Sequence, residues 1–340
     1  MQKCTLRYID DDIPGIERVR RGATFQYRWH GHPVREAATL ARIAALVIPP
    51  AWTDVWICPS PRGHIQATGR DARGRKQYRY HAEWRRTRDS NKYERLIAFA
   101  ETLPRLRARV EQDLRRPKLD RERVLAVVVR LLELTRVRVG NEEYARTNKS
   151  YGLTTLRDQH VQIRGARVRF RFRGKSRVEH EIEVQDARLA RLVKRCQEVP
   201  GQLLFQYFDE TGERRCVRSQ DVNDYLRAAM GEAFTAKDFR TWSGTVLAAQ
   251  ALSTLTAAAS ATEARRQLVG AVREVAAKLG NTPAVCRSCY IHPGVFDAHS
   301  DGVLAGLARA RAHRQGLQPV EAAVLVLLQS REPKGLKRAA

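Results

Sequence analysis

The residues that could do chemistry are concentrated between Lys237 and Pro293. This stretch contains Arg240 in the motif KDFRTW, Asn281 in LGNTP, and Tyr290 nine residues after Asn281. A tyrosine hydroxyl can attack phosphorus, and guanidinium and amide groups can stabilise the charge that develops on a phosphate. These residue types at this spacing predict chemistry on a phosphate group. Residues that only end one helix and begin the next would explain the stretch about equally well.

Two consecutive helices are predicted to position these side chains. Apolar residues recur at three- and four-residue steps, the period of a helix with one buried face. These residues are Leu268, Val269, Val272, Val275, Ala276 and Leu279. Gly280 is expected to end this helix, Thr282 to cap a second one, and Pro283 to occupy its first turn. We expect the second helix to carry Tyr290 and to end at the His-Pro pair that follows, and Arg240 to lie on an earlier helix.

Two further cations are candidates for the same chemistry. Arg138 follows the apolar run VLAVVVRLLELT, which predicts a buried helix, and an arginine at such a helix end is about equally often a structural ion-pair partner. Lys175 lies in RGKS, between two segments that alternate apolar and charged residues, so it is predicted at a hairpin tip. Most hairpin-tip lysines only face solvent, but one that reaches into a cleft can protonate a leaving alkoxide.

The charge of the chain predicts a polyanionic partner. It has 340 residues, with 62 Lys+Arg against 37 Asp+Glu, a net charge of +25 and a pI near 10.6. Nucleic acid is the commonest partner of such a protein. In GRDARGRKQYRYHAEWRRTR, aromatic residues alternate with arginines, so Tyr78 and Tyr80 can stack on bases or sugars while Gln77 contacts a base edge. The alternative is a solvated loop whose aromatic residues reach back into the core.

Several classes of protein are disfavoured. The apolar runs are short or interrupted by charge, which argues against a membrane span, and the start MQKCTLRYIDDDIPG lacks the apolar core of a signal peptide. Six scattered cysteines indicate free thiols in a reducing compartment, so we expect a cytoplasmic protein. Only Cys286 and Cys289 form a CxxC pair, which does not complete a zinc site, although redox sensitivity beside Tyr290 is a hypothesis. Because no HExxH, Walker or GxGxxG motif is found, we expect no metal and no cofactor.

The pattern of elements predicts an α+β fold in two domains. Short strands and turns dominate residues 1–90, which we expect to form a small antiparallel β-rich domain that binds nucleic acid. Helical patterns begin at Asn91, and residues 91–330 are predicted to form a larger, mostly α-helical catalytic domain with a small three-stranded sheet. Residues 331–340 are expected to form a basic C-terminal tail.

Taken in order, the candidate motifs resemble those of one enzyme family. RVRVGN contains Arg138, FRGKSRVEH contains Lys175, KDFRTW contains Arg240, GNTP contains Asn281, and Tyr290 follows. Each motif alone is weak, but this order and spacing is similar to that of the type IB DNA topoisomerases, in the short form shared by bacteria and poxviruses. The resemblance covers nearly everything from residue 77 to residue 293.

The resemblance implies a role for each matching residue. Tyr290 would be the nucleophile that forms a 3′-phosphotyrosyl bond, and Lys175 the general acid that protonates the departing 5′ oxygen. Arg138, Arg240 and Asn281 would stabilise the pentavalent phosphorus. The poxvirus enzymes have histidine at the position of Asn281, so this amide can supply only neutral stabilisation.

The family also implies contacts with the substrate. Gln77, Tyr78 and Tyr80 match the family's Q-Y-x-Y segment, which contacts DNA, and Lys237 matches an auxiliary DNA contact. The enzyme would hold double-stranded DNA as a monomer, in a C-shaped clamp of the two domains. It would relax supercoils of either sign by strand cleavage, rotation and religation, without ATP or metal.

Two alternative functions remain open at this point. A tyrosine recombinase or integrase shares the chemistry, but it usually has HxxR where this chain has KDFR, and it assembles as a tetramer on paired sites. A non-enzymatic architectural DNA-binding protein explains the charge and the aromatic segment. It does not explain why five residues of catalytic type occur at this spacing.

Overall fold

The structure, a computed structural model, describes residues 6–22, 24–72, 74–231, 234–256, 258–306 and 314–331, without the side chains of 85–92, 94, 305 and 306. Residues 332–340, almost all of the predicted basic tail, therefore lie outside the described residues, as do the side chains of the arginines at 85–88. Contacts between Cα atoms divide the chain into two units, residues 1–94 and 95–340.

The first unit is built on an antiparallel sheet, as the sequence predicts, and this sheet has six strands. Its strand order is β3-β2-β1-β4-β5-β6, so β6 lies at an edge. The helix α1 (Ala37–Ala45) packs its Ile43 against the sheet residues Ile16, Val55 and Ile57. The strands are β1 (Ile16–Arg21), β2 (Thr24–Trp29), β3 (His32–Pro33), β4 (Thr53–Ile57), β5 (Ile65–Arg70) and β6 (Lys76–Tyr80).

The first long helix begins earlier than the sequence pattern indicates. Helix α2 spans Ala82–Leu114, so it starts nine residues before Asn91. No glycine or proline occurs between Ala82 and Pro104. Arginine, which dominates the start of this segment, is also a good helix former, so an arginine-rich stretch need not be a surface loop.

The second unit is mostly helical and contains the predicted small sheet. Its central helix, α3 (Arg121–Thr135), is buried along nearly all of its length. The further helices are α4 (Glu142–Asn148), α5 (Ala187–Gln197), α6 (Ser219–Met230), α7 (Ala236–Ser253), α8 (Ala261–Leu279), α9 (Pro283–Cys289), α10 (Pro293–Ser300) and α11 (Pro319–Arg331). The strands are β7 (Val161–Arg164), β8 (Arg167–Arg173) and β9 (Glu179–Gln185) in one antiparallel sheet, and β10 (Gln206–Phe208) with β11 (Arg214–Cys216) in a second. No helix of the described part of the chain is long and apolar enough to cross a lipid bilayer.

The β8–β9 hairpin confirms the predicted alternation. Val168, Phe170 and Phe172 are buried, whereas the arginine that follows each of them is exposed. Each of these arginines lies opposite a glutamate of β9 and forms an ion pair with it; the directly paired residues are Arg169 with Glu183, Arg171 with Glu181, and Arg173 with Glu179. The charged face of the hairpin is therefore neutralised within the sheet.

The residues that end α8 and begin α9 are also close to those predicted from the sequence. Gly280 ends α8 in the left-handed conformation with φ of +59°, and the Thr282 hydroxyl accepts a hydrogen bond from the Val285 N–H at the start of α9. Two details differ. Val269 is 40% exposed, because it is rotated by about 100° from the buried Leu268. Tyr290 is the residue that caps α9 rather than part of the helix, and the His-Pro pair begins α10.

Candidate active site

The loop that carries Arg138 is held by a neighbouring segment of backbone. The N–H of Leu153 donates to the Arg138 carbonyl at 3.0 Å, and the N–H of Thr154 donates to the Val139 carbonyl at 2.7 Å. A Cβ atom at Gly152 would lie 2.5 Å from the Arg138 carbonyl oxygen, so only glycine allows the two segments to approach this closely. The sequence thus fixes the backbone from which the Arg138 side chain extends.

Arg138 and Asn281 are in direct contact, although 143 positions separate them in the sequence. Nη2 of Arg138 donates to Oδ1 of Asn281. The Asn281 backbone N–H donates to the Ala276 carbonyl at 3.0 Å, which anchors the turn between α8 and α9. The amide nitrogen carries two N–H donors, of which one makes a long contact of 3.4 Å with the Leu279 carbonyl. The Asn281 side chain also makes a hydrogen bond with the Cys286 thiol, so a ligand would share the amide group with Cys286.

Arg240 lies on α7, is only 4% exposed, and is oriented by backbone carbonyls. Its Nη1 donates to the Arg136 carbonyl, and its Nη2 donates to the Leu279 carbonyl at 2.7 Å. These two bonds hold the plane of the guanidinium, which also makes a hydrogen bond with the side chain of Tyr290. Its Nε has no hydrogen-bond partner in the described part of the protein.

The pair of arginines has an unbalanced positive charge. Burial lowers the pKa of Arg240, and the charge of Arg138 lowers it further, while Tyr290 has the opposite effect. Among the residues that the structure describes, neither guanidinium has a carboxylate partner. Cations that are partly desolvated without a counter-ion favour an anionic ligand, because the ligand restores the lost stabilisation. The arrangement is suited to a phosphate.

Tyr290 is placed against Arg240 by features of α7. The guanidinium carbon of Arg240 lies 5.1 Å from the centroid of the Tyr290 ring. One helical turn after Arg240, a Cβ atom at Gly244 would lie 2.4 Å from the Tyr290 carbonyl oxygen. The next residue, Thr245, accepts a hydrogen bond at 3.1 Å from the N–H of His292. One face of α7 thus supplies the cation and also fixes the backbone at the tyrosine and just after it.

The fifth predicted residue, Lys175, stands apart from the other four. It lies in a 3₁₀ turn, Lys175–Arg177, at the tip of the β8–β9 hairpin, and it is exposed. Within the described residues, its ammonium makes no hydrogen bond or ion pair. The first residues of β9, next to the turn, reach the site, because the ring of His180 lies against Gly280, next to Asn281. The structure therefore brings together Arg138, Arg240, Asn281 and Tyr290, and it brings the hairpin of Lys175 beside them.

The residues that allow these close approaches were not among the predicted site residues. Gly152, Gly244 and His180 were not predicted to matter. An isolated glycine in a helical run costs stability and usually has a packing reason, so Gly244 in WSGTVL carried a usable indication. Such an indication says that something lies close to the glycine but does not say what.

The predicted DNA contacts of the first unit lie on the edge strand β6. Tyr78 is 41% exposed, and its ring stacks on that of Tyr80 at a centroid distance of 5.9 Å. Nε2 of Gln77 donates to Oδ2 of Asp71 at 3.0 Å. The segment is therefore a strand with an exposed tyrosine rather than a loop.

Lys237, the predicted DNA contact of the second unit, is exposed in the first turn of α7. It lies three residues before Arg240, which is less than one helical turn. This puts an exposed cation near the buried one on the same helix.

The cysteine pair beside Tyr290 consists of two free thiols in different surroundings. Cys286 is buried and Cys289 is exposed. Burial raises the pKa of the Cys286 thiol. Within the described residues, no three His, Cys, Asp or Glu side chains are grouped closely enough to hold a metal ion.

Comparison with known proteins identifies relatives of both units. Residues 81–303 match the family model for the catalytic core of eukaryotic DNA topoisomerase I, and residues 24–71 match that for the N-terminal domain of bacterial DNA topoisomerase IB. DNA topoisomerase 1B of Acanthamoeba polyphaga mimivirus is 34% identical over 288 residues, which cover 82% of this chain and 85% of the relative. DNA topoisomerase I of Monkeypox virus and DNA topoisomerase 1B of Vaccinia virus (strain Copenhagen) are each 21% identical over 239 residues, which cover 68% of this chain and 72% of the relative.

Proposed function

The chain belongs to the type IB DNA topoisomerase family, and from this premise we propose that it relaxes positive and negative supercoils by cutting and rejoining one DNA strand. As a member of this family it is an isomerase that acts on DNA. The observation that carries the proposal is the pair of partly desolvated cations, Arg138 and Arg240, with no carboxylate partner in the described residues and with Tyr290 against one of them. This combination suits a phosphodiester that is attacked by a phenol.

In the proposed reaction, Oη of Tyr290 attacks a backbone phosphorus and the bond from phosphorus to the 5′ oxygen breaks. The phenolic proton passes to solvent, and Lys175 supplies a proton to the departing oxygen. The products are a 3′-phosphotyrosyl bond and a 5′-hydroxyl. Because the ester retains the energy of the broken bond, the strand can rotate and then be rejoined by the reverse reaction without ATP.

The remaining residues would stabilise the transition state. Phosphoryl transfer depends mainly on positioning and on neutralising the phosphoryl oxygens, and preorganised donors do this best. The backbone carbonyls that hold Arg240 and the amide that holds Arg138 fix both guanidiniums before DNA arrives. Asn281 adds an uncharged donor.

Contacts along the DNA would come from both units. We propose that Gln77, Tyr78 and Tyr80 contact the duplex from β6, and that Lys237 contacts a phosphate near the cleavage site. Both units would then hold one duplex, and the protein would act as a monomer. Most contacts of basic residues go to phosphates and do not select a sequence.

The deciding experiment is plasmid relaxation with EDTA and without ATP, comparing wild type with Tyr290→Phe. The variant keeps the aromatic ring that lies against Arg240 and loses only the hydroxyl. We expect wild type to relax positive and negative supercoils, and the variant to bind DNA without relaxing it. Residual relaxation by the variant would refute the choice of nucleophile.

Two further measurements on the wild-type protein, adduct formation and sedimentation, separate the alternatives. A recombinase would form a covalent adduct with DNA but would require paired sites and a tetramer, which sedimentation of the protein–DNA complex detects. An architectural protein would bind DNA and form no covalent adduct under any condition. Either result would replace the topoisomerase proposal.

A further inference from the structure

The ring of His180 fills the space between two glycines that each precede a proposed catalytic residue. A Cβ atom at Gly174, which precedes Lys175, would lie 2.6 Å from Cδ2 and Nε2 of the ring. A Cβ atom at Gly280, which precedes Asn281, would lie 2.6 Å from its Cε1. One imidazole therefore contacts both the base of the lysine turn and the turn that carries the asparagine.

The core of the second unit holds this ring in place. His180 pairs with Phe172 across the β8–β9 ladder, and the two rings stack with centroids 5.0 Å apart at 17°. Phe172 is itself buried. Burial lowers the pKa of His180, and the charges of Arg138 and Arg240 lower it further. The ring is therefore a neutral, fixed spacer and not a third cation in the site.

The lysine turn depends on such external support. Two consecutive residues after Lys175, Ser176 and Arg177, have positive φ values of 63° and 62°, which non-glycine residues rarely adopt. Apart from His180, its base is contacted by the neighbouring segment, where the Ser150 hydroxyl donates to the Gly174 carbonyl and the Tyr151 N–H donates to the Arg173 carbonyl, both at 2.8 Å. The direction in which the turn extends is thus set by what packs against Gly174.

We propose that His180 is a positioning residue that sets the distance between the Lys175 turn and the cluster of Arg138, Arg240 and Asn281. Without the ring, the turn loses its contact with the Gly280 segment, and the lysine ammonium no longer reaches the 5′ oxygen. The inference rests on the proposed role of Lys175 as general acid. It predicts that loss of His180 impairs protonation of the leaving group selectively.

A change of leaving group isolates this step. When the bond from phosphorus to the 5′ oxygen breaks, the electron pair remains on that oxygen, which needs a proton because an alkoxide is strongly basic. With sulfur at the bridging position, the leaving group is a thiolate, and thiols have a pKa of about 8.5. A thiolate departs without a proton, so a bridging-sulfur duplex makes the general acid unnecessary but still requires the arginine cluster.

The experiment measures single-turnover formation of the covalent adduct on two duplexes that differ only in this bridging atom. We expect His180→Ala to slow the oxygen duplex by about 10²-fold, the lower range of general-acid contributions, and to leave the sulfur duplex near the wild-type rate. Lys175→Ala should show the same selectivity. Arg240→Ala should slow both duplexes.

Two further variants control for indirect effects. His160 lines the same cleft of about 460 Å³ as His180 but does not lie between the glycines, so His160→Ala should not distinguish the two duplexes. His180→Phe keeps a planar ring and should recover most of the rate on the oxygen duplex. If His180→Ala fails to fold, His180→Gln replaces it, with the same selective loss expected.

The outcomes separate the role of His180 from the proposed function. Equal slowing of both duplexes by His180→Ala, or wild-type rates on both, would overturn the role of His180. If wild-type protein formed no adduct with either duplex, the proposed function itself would fail. The selective loss with rescue by the phenylalanine variant would support the spacer role.

Discussion

Replacing Gly244 with alanine should displace the nucleophile while leaving the protein folded. Gly244 lies on α7, one helical turn after Arg240, where an added Cβ would be 2.4 Å from the Tyr290 carbonyl oxygen. Ordinary van der Waals contact begins at 3.4 Å. One of the two backbones must therefore move by about 1 Å, since a carbonyl that belongs to the main chain cannot rotate away as a flexible side chain would.

The structural displacement sets the expected size of each effect. A misplacement of about 1 Å in a reacting group can cost about 10²-fold in rate, because the reacting atoms leave the near-attack geometry. Overpacking costs about 1–3 kcal/mol in stability, and the better helix propensity of alanine offsets about 1 kcal/mol of this. Gly244→Ala should therefore cleave DNA about 100-fold more slowly with a net loss of at most about 2 kcal/mol.

The assay is single-turnover formation of the covalent adduct, with urea unfolding and DNA binding measured on the same protein. Gly270 is the matched control, because it lies on the exposed side of α8 with nothing within 4 Å of an added Cβ. Gly270→Ala should cleave at the wild-type rate and gain about 1 kcal/mol in stability. A folded Gly244→Ala protein that cleaves at the wild-type rate would refute the view that α7 positions Tyr290.

Three further predictions concern other parts of the molecule. Lys237→Ala should reduce the slope of log affinity for DNA against log salt concentration by about one. Lys278 forms an ion pair with Glu274, so Lys278→Ala is the control and should leave the slope unchanged. Equal slopes for Lys237→Ala and wild type would show that Lys237 does not contact a DNA phosphate. Glu321→Ala should destabilise the protein by about 3 kcal/mol in urea unfolding, because it leaves the partly buried Arg107 with only one of its two carboxylates. Wild-type stability would contradict this. Burial lowers the pKa of His160, so the unfolded chain takes up its proton below about pH 6.5 while the folded chain does not, and stability falls. His160→Gln should lose less stability than wild type between pH 7.5 and 5.0. An equal loss would show that His160 takes up its proton to the same extent in the folded and the unfolded protein.

The parts of the site that depend on local sequence were predictable. The end of α8 at Gly280, the cap at Thr282 and the proline that starts α9 follow from backbone preferences of single residues. The alternation of β8 likewise follows from the period of a strand with one buried face. Such features need no knowledge of distant parts of the chain.

The contacts between distant segments were not predictable from residue patterns. Nothing in the sequence near Arg138 indicates that its partner is Asn281, and only the order of family motifs placed the two in one site. The start of α2 was missed because arginine-rich sequence suits both a helix and a basic surface. The fit of His180 between two glycines depends on how a hairpin packs against a helix turn, which propensities do not encode.

The net charge of +25 is also an incomplete guide to where DNA phosphates bind. The arginines of β8 are exposed, yet glutamates of β9 neutralise them, and exposed pairs of this kind contribute little and offer no unbalanced charge. Arg240 is buried, but its partners in the described residues are backbone carbonyls and the side chain of Tyr290, which orient a guanidinium without the charge of a carboxylate. A carboxylate in their place would compete with the phosphate for the same donors. The identity of the partner, more than exposure, therefore decides which arginines can stabilise a transferring phosphoryl group.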